Sequence, residues 1–317
     1  METNKEIWVK ILSVILGFVA GVTLLGFLFL AGFINSEQSM LFSGIIFIPA
    51  SLIISICAKK IMLDAMTLSL YVIGCTLFAF GTGSAVLACW CLLVVALVTV
   101  AVTSNYILVF IATLLFCGSF AGSFFAYEIE KFFLLPYIGL WSFVLTAICF
   151  AEARLVSWSP KINRRYQPVV AGMFVSLIAS FVALLFLPPY DLPYVGFLSF
   201  CLWTNILFIA WKIIQTLYPA SSKVKYAFLS ISVFVLLPAF FVPAISGAIF
   251  MMLLAFRFNY KSMFAASLLL LIWALFQYYY DLNITLLVKS GILFFSGLMF
   301  LAFWFLFHKT LKNDDAI

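Results

Sequence analysis

A long stretch without charge is the feature that most constrains this chain: between Asp64 and Glu128 no residue is Asp, Glu, Lys or Arg. Over the whole sequence 67% of residues are hydrophobic and 9% are charged, where average soluble domains have about 45–50% and about 25%. A soluble domain needs a polar, charged surface, so a soluble globular fold is excluded. The sequence therefore predicts an integral membrane protein whose apolar side chains contact lipid.

The charge-free stretch has the length of three membrane helices. One crossing takes about 20 residues, so two helices would each be unusually long. Residues typical of turns occur at positions 81–84 (Gly-Thr-Gly-Ser) and 103–105 (Thr-Ser-Asn). We therefore predict three helices that are separated at these two breaks.

Apolar runs in the rest of the chain bring the predicted number of spans to twelve. Because backbone polar groups in lipid must be satisfied internally, the predicted fold is an all-α, polytopic transmembrane helical bundle. Lys and Arg concentrate on the cytoplasmic side of membranes. With both termini cytoplasmic, all of the 17 Lys and Arg residues except Lys131 and Lys289 lie on that side. The other predicted spans are 11–34, 40–58, 132–151, 168–187, 195–218, two within 226–256, 262–280 and 284–307.

We treat residues 1–317 as a single integral membrane domain. The longest polar connection is predicted at 152–167, between possible pseudo-halves 1–151 and 168–317. The near-equal halves suggest an internal duplication, but no repeated residue motif supports it. Two Gly-x-x-x-Gly spacings, at 17–21 and 118–122, are candidate close-packing faces or chance spacings.

Residue types that support catalysis or cofactor binding are scarce. The seven cysteines lie in or beside apolar runs, and the only histidine is His308, so a metal cluster or a histidine-based triad is not predicted. The basic residues form no nucleic-acid-binding stripe. We therefore expect no cofactor and no nucleic acid; enzyme activity has no positive support and stays open.

Lys289 is the first candidate functional or structural polar residue, because a lysine inside a membrane span usually has a partner or a function. Asp281 and Thr285 precede it by eight and four residues, which places the three near one helix face. The alternative is that Lys289 lies close to the outer surface and extends its amine into the headgroups.

Pro238 and Pro243 mark the second candidate site, a predicted helix break. The run 226–256 is short for two crossings and a turn, so it forms either two short spans or a re-entrant hairpin. Short, proline-interrupted spans point to a transporter site, and they also occur as ordinary kinks. The aromatic triplet at 278–280 is typical of a membrane-interface belt, with a ligand-stacking platform as the alternative.

The segment from Phe276 to Ser290, followed by Gly291 and by Ser296-Gly297, has a distinctive pattern: three tyrosines, then Thr-Leu-Leu-x-Lys-Ser. Over about the last 75 residues the chain resembles an uncharacterised bacterial inner-membrane family known as a domain of unknown function. The resemblance implies a multi-pass protein of the bacterial cytoplasmic (inner) membrane that works with another membrane protein, and it supplies no activity.

Two functions follow from these observations. The scarcity of polar residues in the spans favours a non-catalytic membrane subunit or scaffold, whose partners are the lipid bilayer and another membrane protein. The spans, the proline break and Lys289 favour the alternative, a transporter or permease-like protein for a small molecule that the sequence does not specify. A lipid-modifying enzyme is a third, weaker hypothesis.

Overall fold

The computed structural model describes residues 19–21, 23–32, 36–57, 61–186, 194–217 and 242–281, together with positions 287, 290–291, 294–295, 297–298 and 301. Within these residues the chain is helical and contains no strand. The helices, numbered along the chain, are α1 Val19–Leu30, α2 Glu37–Cys57, α3 Ile61–Gly81, α4 Ala85–Val102, α5 Tyr106–Ala126, α6 Glu130–Phe150, α7 Glu152–Trp158, α8 Pro160–Phe186, α9 Val195–Leu217, α10 Pro243–Arg257 and α11 Lys261–Asp281.

Seven of these helices are long and apolar enough to cross a membrane: α2, α4, α5, α6, α8, α9 and α11. Shorter apolar helices are α1, the Met66–Gly81 part of α3, and α10. The prediction of an all-α membrane protein is therefore confirmed for the described residues. The number of twelve spans stays a prediction.

The charge-free stretch folds as three helices, as predicted. Helix α3 ends at Gly81 and α4 begins at Ala85, while α4 ends at Val102 and α5 begins at Tyr106. At the second break Thr103 is extended, and the Asn105 side-chain oxygen accepts a hydrogen bond from the Ile107 backbone N–H at 3.1 Å. An asparagine in this position satisfies one of the free donors of the helix N-terminus, which explains why α5 begins here.

The polar connection predicted at 152–167 is wrong in one respect, because this segment is helical. It forms α7 and the first two turns of α8, which begins at Pro160 rather than at Pro168. Ser159 is extended between the two helices, and its side-chain oxygen accepts a hydrogen bond from the Lys161 backbone N–H. Proline is well suited to the first helical position, where its missing N–H leaves no donor unpaired. Pro168 therefore lies inside α8, although proline is unfavourable there.

Two groups of helices pack around apolar side chains within the compact unit Met1–Leu270. In the first group α2 packs on α3 and α4 on α5, around a cluster that contains Ile48, Tyr71, Cys75, Leu92 and Leu108. In the second group α6 packs on α9, and α10 packs on α8 and α9, with buried side chains that include Phe174, Phe181, Leu202 and Phe250. Helices α5 and α8 connect the two groups. A second unit comprises Leu271–Ile317.

Close helix approach occurs at one of the predicted glycines and at others. A Cβ on Gly21, in the predicted 17–21 spacing, would stand 2.8 Å from the Ser69 Cβ of α3. A Cβ on Gly44 would stand 2.7 Å from the backbone nitrogen of Phe78, so α2 and α3 are in backbone contact there. A Cβ on Gly118 would meet no atom within 4 Å. A Cβ on Gly122 would make an ordinary contact with the Cys89 sulfur at 3.4 Å, so the 118–122 spacing is not a close-packing face. Gly17, the partner of Gly21 in the other spacing, lies outside the described residues.

Candidate functional site

The predicted Lys289 site lies outside the described residues. Neither Lys289 nor Thr285 is described. Asp281 is the last residue of α11, and its side chain is not described. Pro238 is also outside the described residues, whereas Pro243 is the first residue of α10. The pairing of Lys289 with Asp281 and the break between the two prolines therefore stay predictions.

Helix α10 is short and begins among buried residues. Its 15 residues span about 22 Å, against about 30 Å for the hydrocarbon core of a bilayer. The segment Ala244–Ala248 is buried throughout, and a Cβ on Gly247 would collide with the Phe181 ring of α8. Helix α10 is therefore shorter than one crossing of the hydrocarbon core, and its first turns are buried in the protein.

The opposite end of α10 closes with a Schellman motif. The Tyr260 N–H donates to the Ala255 carbonyl at 2.9 Å, and the Asn259 N–H donates to the Phe256 carbonyl at 3.2 Å. Asn259 has φ +57°, a conformation that asparagine adopts more readily than most residues. This turn directs the chain back into α11 and places Phe258 and Tyr260 beside the end of α6.

Aromatic and polar side chains from α6, α8, α9 and the α10–α11 turn meet near the C-terminal end of α6. The Phe150 ring lies 5.1 Å from that of Phe208 and 5.2 Å from that of Phe258, measured between ring centroids. The Tyr166 hydroxyl donates to the Ile148 carbonyl at 3.3 Å. Burial raises the pKa of Tyr260, and the nearby Glu152 carboxylate adds to the rise. Tyr260 is therefore neutral at physiological pH, and its buried hydroxyl has no hydrogen-bond partner among the described residues.

Arg165 joins α8 to the break between α4 and α5. Its Nε–H donates to the Thr103 carbonyl at 2.8 Å, and its Nη2 donates to the Val102 carbonyl at 3.2 Å. The Thr103 hydroxyl lies 2.9 Å from the Ser55 hydroxyl of α2. A guanidinium at these carbonyls satisfies acceptors that the end of α4 leaves free and complements its helix dipole.

These contacts place the polar turns of several helices at one end of the unit, which we call the basic end. Its described cations are Arg154, Lys161, Arg164, Arg165, Lys212, Arg257 and Lys261, and its described carboxylate is Glu152. At the other end of α2 and α3, the Glu37 carboxylate approaches Gly83. The sequence predicted a cytoplasmic location for these cations as a class, but it did not indicate the contact made by Arg165. The sequence feature that could have indicated this contact is the predicted location of the 103–105 break and the 154–165 segment on the same side of the membrane.

Polar groups inside the spans bond mainly to their own helices. The hydroxyls of Ser51, Thr99, Thr113, Ser123, Thr146 and Ser267 each donate to the carbonyl three or four residues earlier, at 2.7–2.9 Å. The buried Asn205 amide of α9 donates to the Cys201 carbonyl at 2.9 Å and to the Ser142 hydroxyl of α6 at 3.2 Å. No group of three His, Cys, Asp or Glu side chains in the described part of the chain could hold a metal ion.

Aromatic rings also form a ladder between α5 and α6. Phe116, Phe120 and Phe124 follow one another at helical spacing on α5, opposite Phe133, Tyr137 and Trp141 of α6, with centroid separations of 5.4–6.4 Å across the two helices. The Tyr137 hydroxyl donates to the Cys117 carbonyl at 3.2 Å. In the predicted interface belt, Tyr278 and Tyr280 are exposed, as such a belt requires.

The family model described as "Domain of unknown function (DUF4401)" matches residues 6–310. The chain belongs to this family. The match confirms the prediction of an uncharacterised family, and it extends over nearly the whole chain rather than the C-terminal part alone. No curated protein and no solved structure matches the chain. Membership of DUF4401 supplies no activity.

Proposed function

We propose that this DUF4401 protein is a non-catalytic membrane subunit or scaffold that works with another membrane protein. The observation that carries the proposal is that six hydroxyls in the described spans, those of Ser51, Thr99, Thr113, Ser123, Thr146 and Ser267, bond to carbonyls of their own helices. The buried hydroxyls of Tyr71 and Ser199 have no such bond, and they lie on different helices, α3 and α9. A solute pathway needs polar groups that face a shared cavity, whereas the six bonded hydroxyls already have partners. The described charged side chains lie within about two turns of a helix end.

A multi-span scaffold needs a face that another membrane protein can cover. On α2 the side chains of Phe42, Ile46, Ile53 and Ile56 are exposed and repeat at helical spacing. Only 17% of the α2 span is buried within the chain, compared with 50% for the spans of α6 and α9. The described residues leave this face uncovered, so we assign it to lipid or to the partner protein.

Photo-cross-linking in cells tests the scaffold proposal. A photoreactive amino acid at Phe42 or Ile53 is expected to capture one defined protein, and the same group at the buried Ile48 serves as the matched control. The captured protein should then copurify with this chain at a fixed stoichiometry when the two are coexpressed. Adducts with lipid alone from every position of the face would contradict a partner on α2.

The proposed setting is the bacterial inner membrane, with twelve spans in one integral domain, both termini in the cytoplasm, and pseudo-halves 1–151 and 168–317. The Arg165 contacts support one part of this topology, because they join the 103–105 break to the basic 154–165 segment, as expected if both lie on the same side of the membrane. Reporters fused after Lys60, Lys161 and Lys225 should then indicate cytoplasm, and fusions at Glu37, Glu128 and Asp191 the outside. An external signal from the 154–165 segment would reject this topology.

The alternative proposal is a transporter or permease-like protein with its site near Lys289 and the Pro238–Pro243 break. The observation that favours it is the short α10, whose N-terminal turn is buried within the bundle. In transporters, such partial helices point their N-terminal ends at bound solutes. Lys289, with Asp281 and Thr285, is the proposed polar group of this site.

Lys289 discriminates between the two functions. For a transporter, Lys289→Met should leave insertion and expression intact, but the variant gene should no longer complement a deletion of the gene. Lys289→Arg should complement the deletion only in part, because a guanidinium differs in shape from an ammonium. For a scaffold in which Lys289 extends its amine into the headgroups, both variants should complement the deletion and retain the α2 cross-link. The copurified partner then separates the hypotheses independently of any assumed substrate.

A further inference from the structure

Three exposed cations and an exposed tryptophan lie across the α7–α8 junction. Arg154 and Trp158 are one turn apart on α7, while Lys161 and Arg164 are one turn apart at the start of α8. Trp158 is 80% exposed, and the three cations are also exposed. Helix α7 packs against α8, so we group these exposed side chains by their position at the junction. We call Arg154, Lys161 and Arg164 the basic patch.

The length of α8 places the basic patch at the level of lipid headgroups. Its 27 residues extend about 40 Å, roughly 10 Å more than the hydrocarbon core of a bilayer. The apolar part of α8 begins at Pro168, so Arg164 lies about 6 Å and Lys161 about 10 Å beyond it along the helix. With the hydrocarbon boundary at Pro168, this is the depth of the phosphates. An exposed tryptophan such as Trp158 is also typical of this zone.

The basic patch has no counter-charge among the residues that the structure describes. Its three cations form no ion pair there, and the neighbouring carboxylate, Glu152, is half-buried beside Tyr260. Arg165, one position further along α8, contrasts with them because its guanidinium is bound to the α4 carbonyls. The described residues therefore leave the charge of the patch unneutralised.

We propose that the basic patch binds the headgroups of anionic phospholipids, with Trp158 inserted among them. Charge complementarity alone would also suit an acidic protein, but the headgroup depth of the cations and the exposed indole favour lipid. Each Lys or Arg near an anionic membrane changes the association about fivefold. Three such residues select anionic over zwitterionic lipid at this position, whichever side of the membrane the patch occupies.

Fluorescence quenching by brominated lipids tests the proposal in the full-length chain. The protein is reconstituted into phosphatidylcholine vesicles that contain an equal fraction of brominated phosphatidylglycerol or brominated phosphatidylcholine. The Trp158 signal is the difference between the unmodified protein and Trp158→Phe, since the chain has 8 tryptophans. We expect stronger quenching of Trp158 by the anionic lipid, and a smaller preference at high salt because salt screens exposed charges.

A charge-matched pair of double variants makes the result specific. Lys161→Gln with Arg164→Gln should lower the anionic preference at Trp158 by an order of magnitude or more, whereas Lys212→Gln with Lys261→Gln, at the same end, should preserve it. Equal quenching by the two lipids in the unmodified protein would overturn the proposal and leave an acidic protein as the ligand of the patch. Equal losses in both double variants would also overturn it, because the effect would then belong to the whole basic end.

Discussion

Replacing Arg165 is the most direct perturbation of the contact between α8 and the α4–α5 break. Arg165→Met keeps most of the aliphatic stem and removes the two hydrogen bonds to the Thr103 and Val102 carbonyls, at 2.8 and 3.2 Å. A hydrogen bond to a charged group contributes about 1.5–3 kcal/mol, and a cation at a helix C-terminus about 0.3–1 kcal/mol. The Val102 carbonyl bond is exposed to solvent, so it adds little to the total.

We therefore expect Arg165→Met to lower the free energy of unfolding by about 2–3 kcal/mol, which is about a 30- to 150-fold change in the unfolding equilibrium. Arg165→Lys should lose about half as much, because an ammonium keeps the attraction to the helix end but cannot donate to both carbonyls in the guanidinium geometry. Arg164→Met is the matched control. Its side chain is exposed, and surface substitutions usually change stability by less than about 0.5 kcal/mol.

Reversible unfolding in mixed micelles, followed by tryptophan fluorescence, measures these differences. The reasoning requires a large loss for Arg165→Met, an intermediate loss for Arg165→Lys and almost none for Arg164→Met. Equal stabilities of the Arg165→Met and Arg164→Met proteins would refute the assigned contact. A large loss that Arg165→Lys fails to reduce would instead show that the fork geometry, rather than the charge, stabilises the break.

The same assay checks three further predictions. Glu128 has φ +58° at the end of α5, so Glu128→Gly should stabilise the protein by about 1 kcal/mol by relieving left-handed strain, and no gain would contradict that strain. Gly44→Ala should destabilise it by about 1–3 kcal/mol, because the new Cβ would stand 2.7 Å from the Phe78 backbone nitrogen; a neutral effect would show that α2 and α3 separate freely. Asn105→Ala should cost about 1 kcal/mol through loss of its bond from the Ile107 N–H, whereas Asn105→Asp should keep the cap.

Local sequence features were sufficient for the helices of the charge-free stretch. Turn residues at 81–84 and 103–105 interrupt apolar runs that have the length of one crossing, and both the breaks and the caps depend on neighbouring residues. The same reasoning failed at 152–167, where polarity was taken as evidence of a connection. Charged and polar residues form helices as readily as apolar ones do, so polarity did not indicate where α8 begins.

The sequence by itself determined that this chain is a helical membrane protein, because a composition with so few charges can be covered only by lipid and a backbone in lipid must form helices. It also determined where several helices begin and end, since caps and turns act over a few residues. Only the tertiary structure decided that Arg165 bonds to carbonyls about 60 positions earlier, that Gly44 rather than Gly118 permits close packing, and that Tyr260 lies beside Glu152. Such pairings depend on which helices become neighbours, and in lipid a uniformly apolar helix surface contains little information about its neighbour.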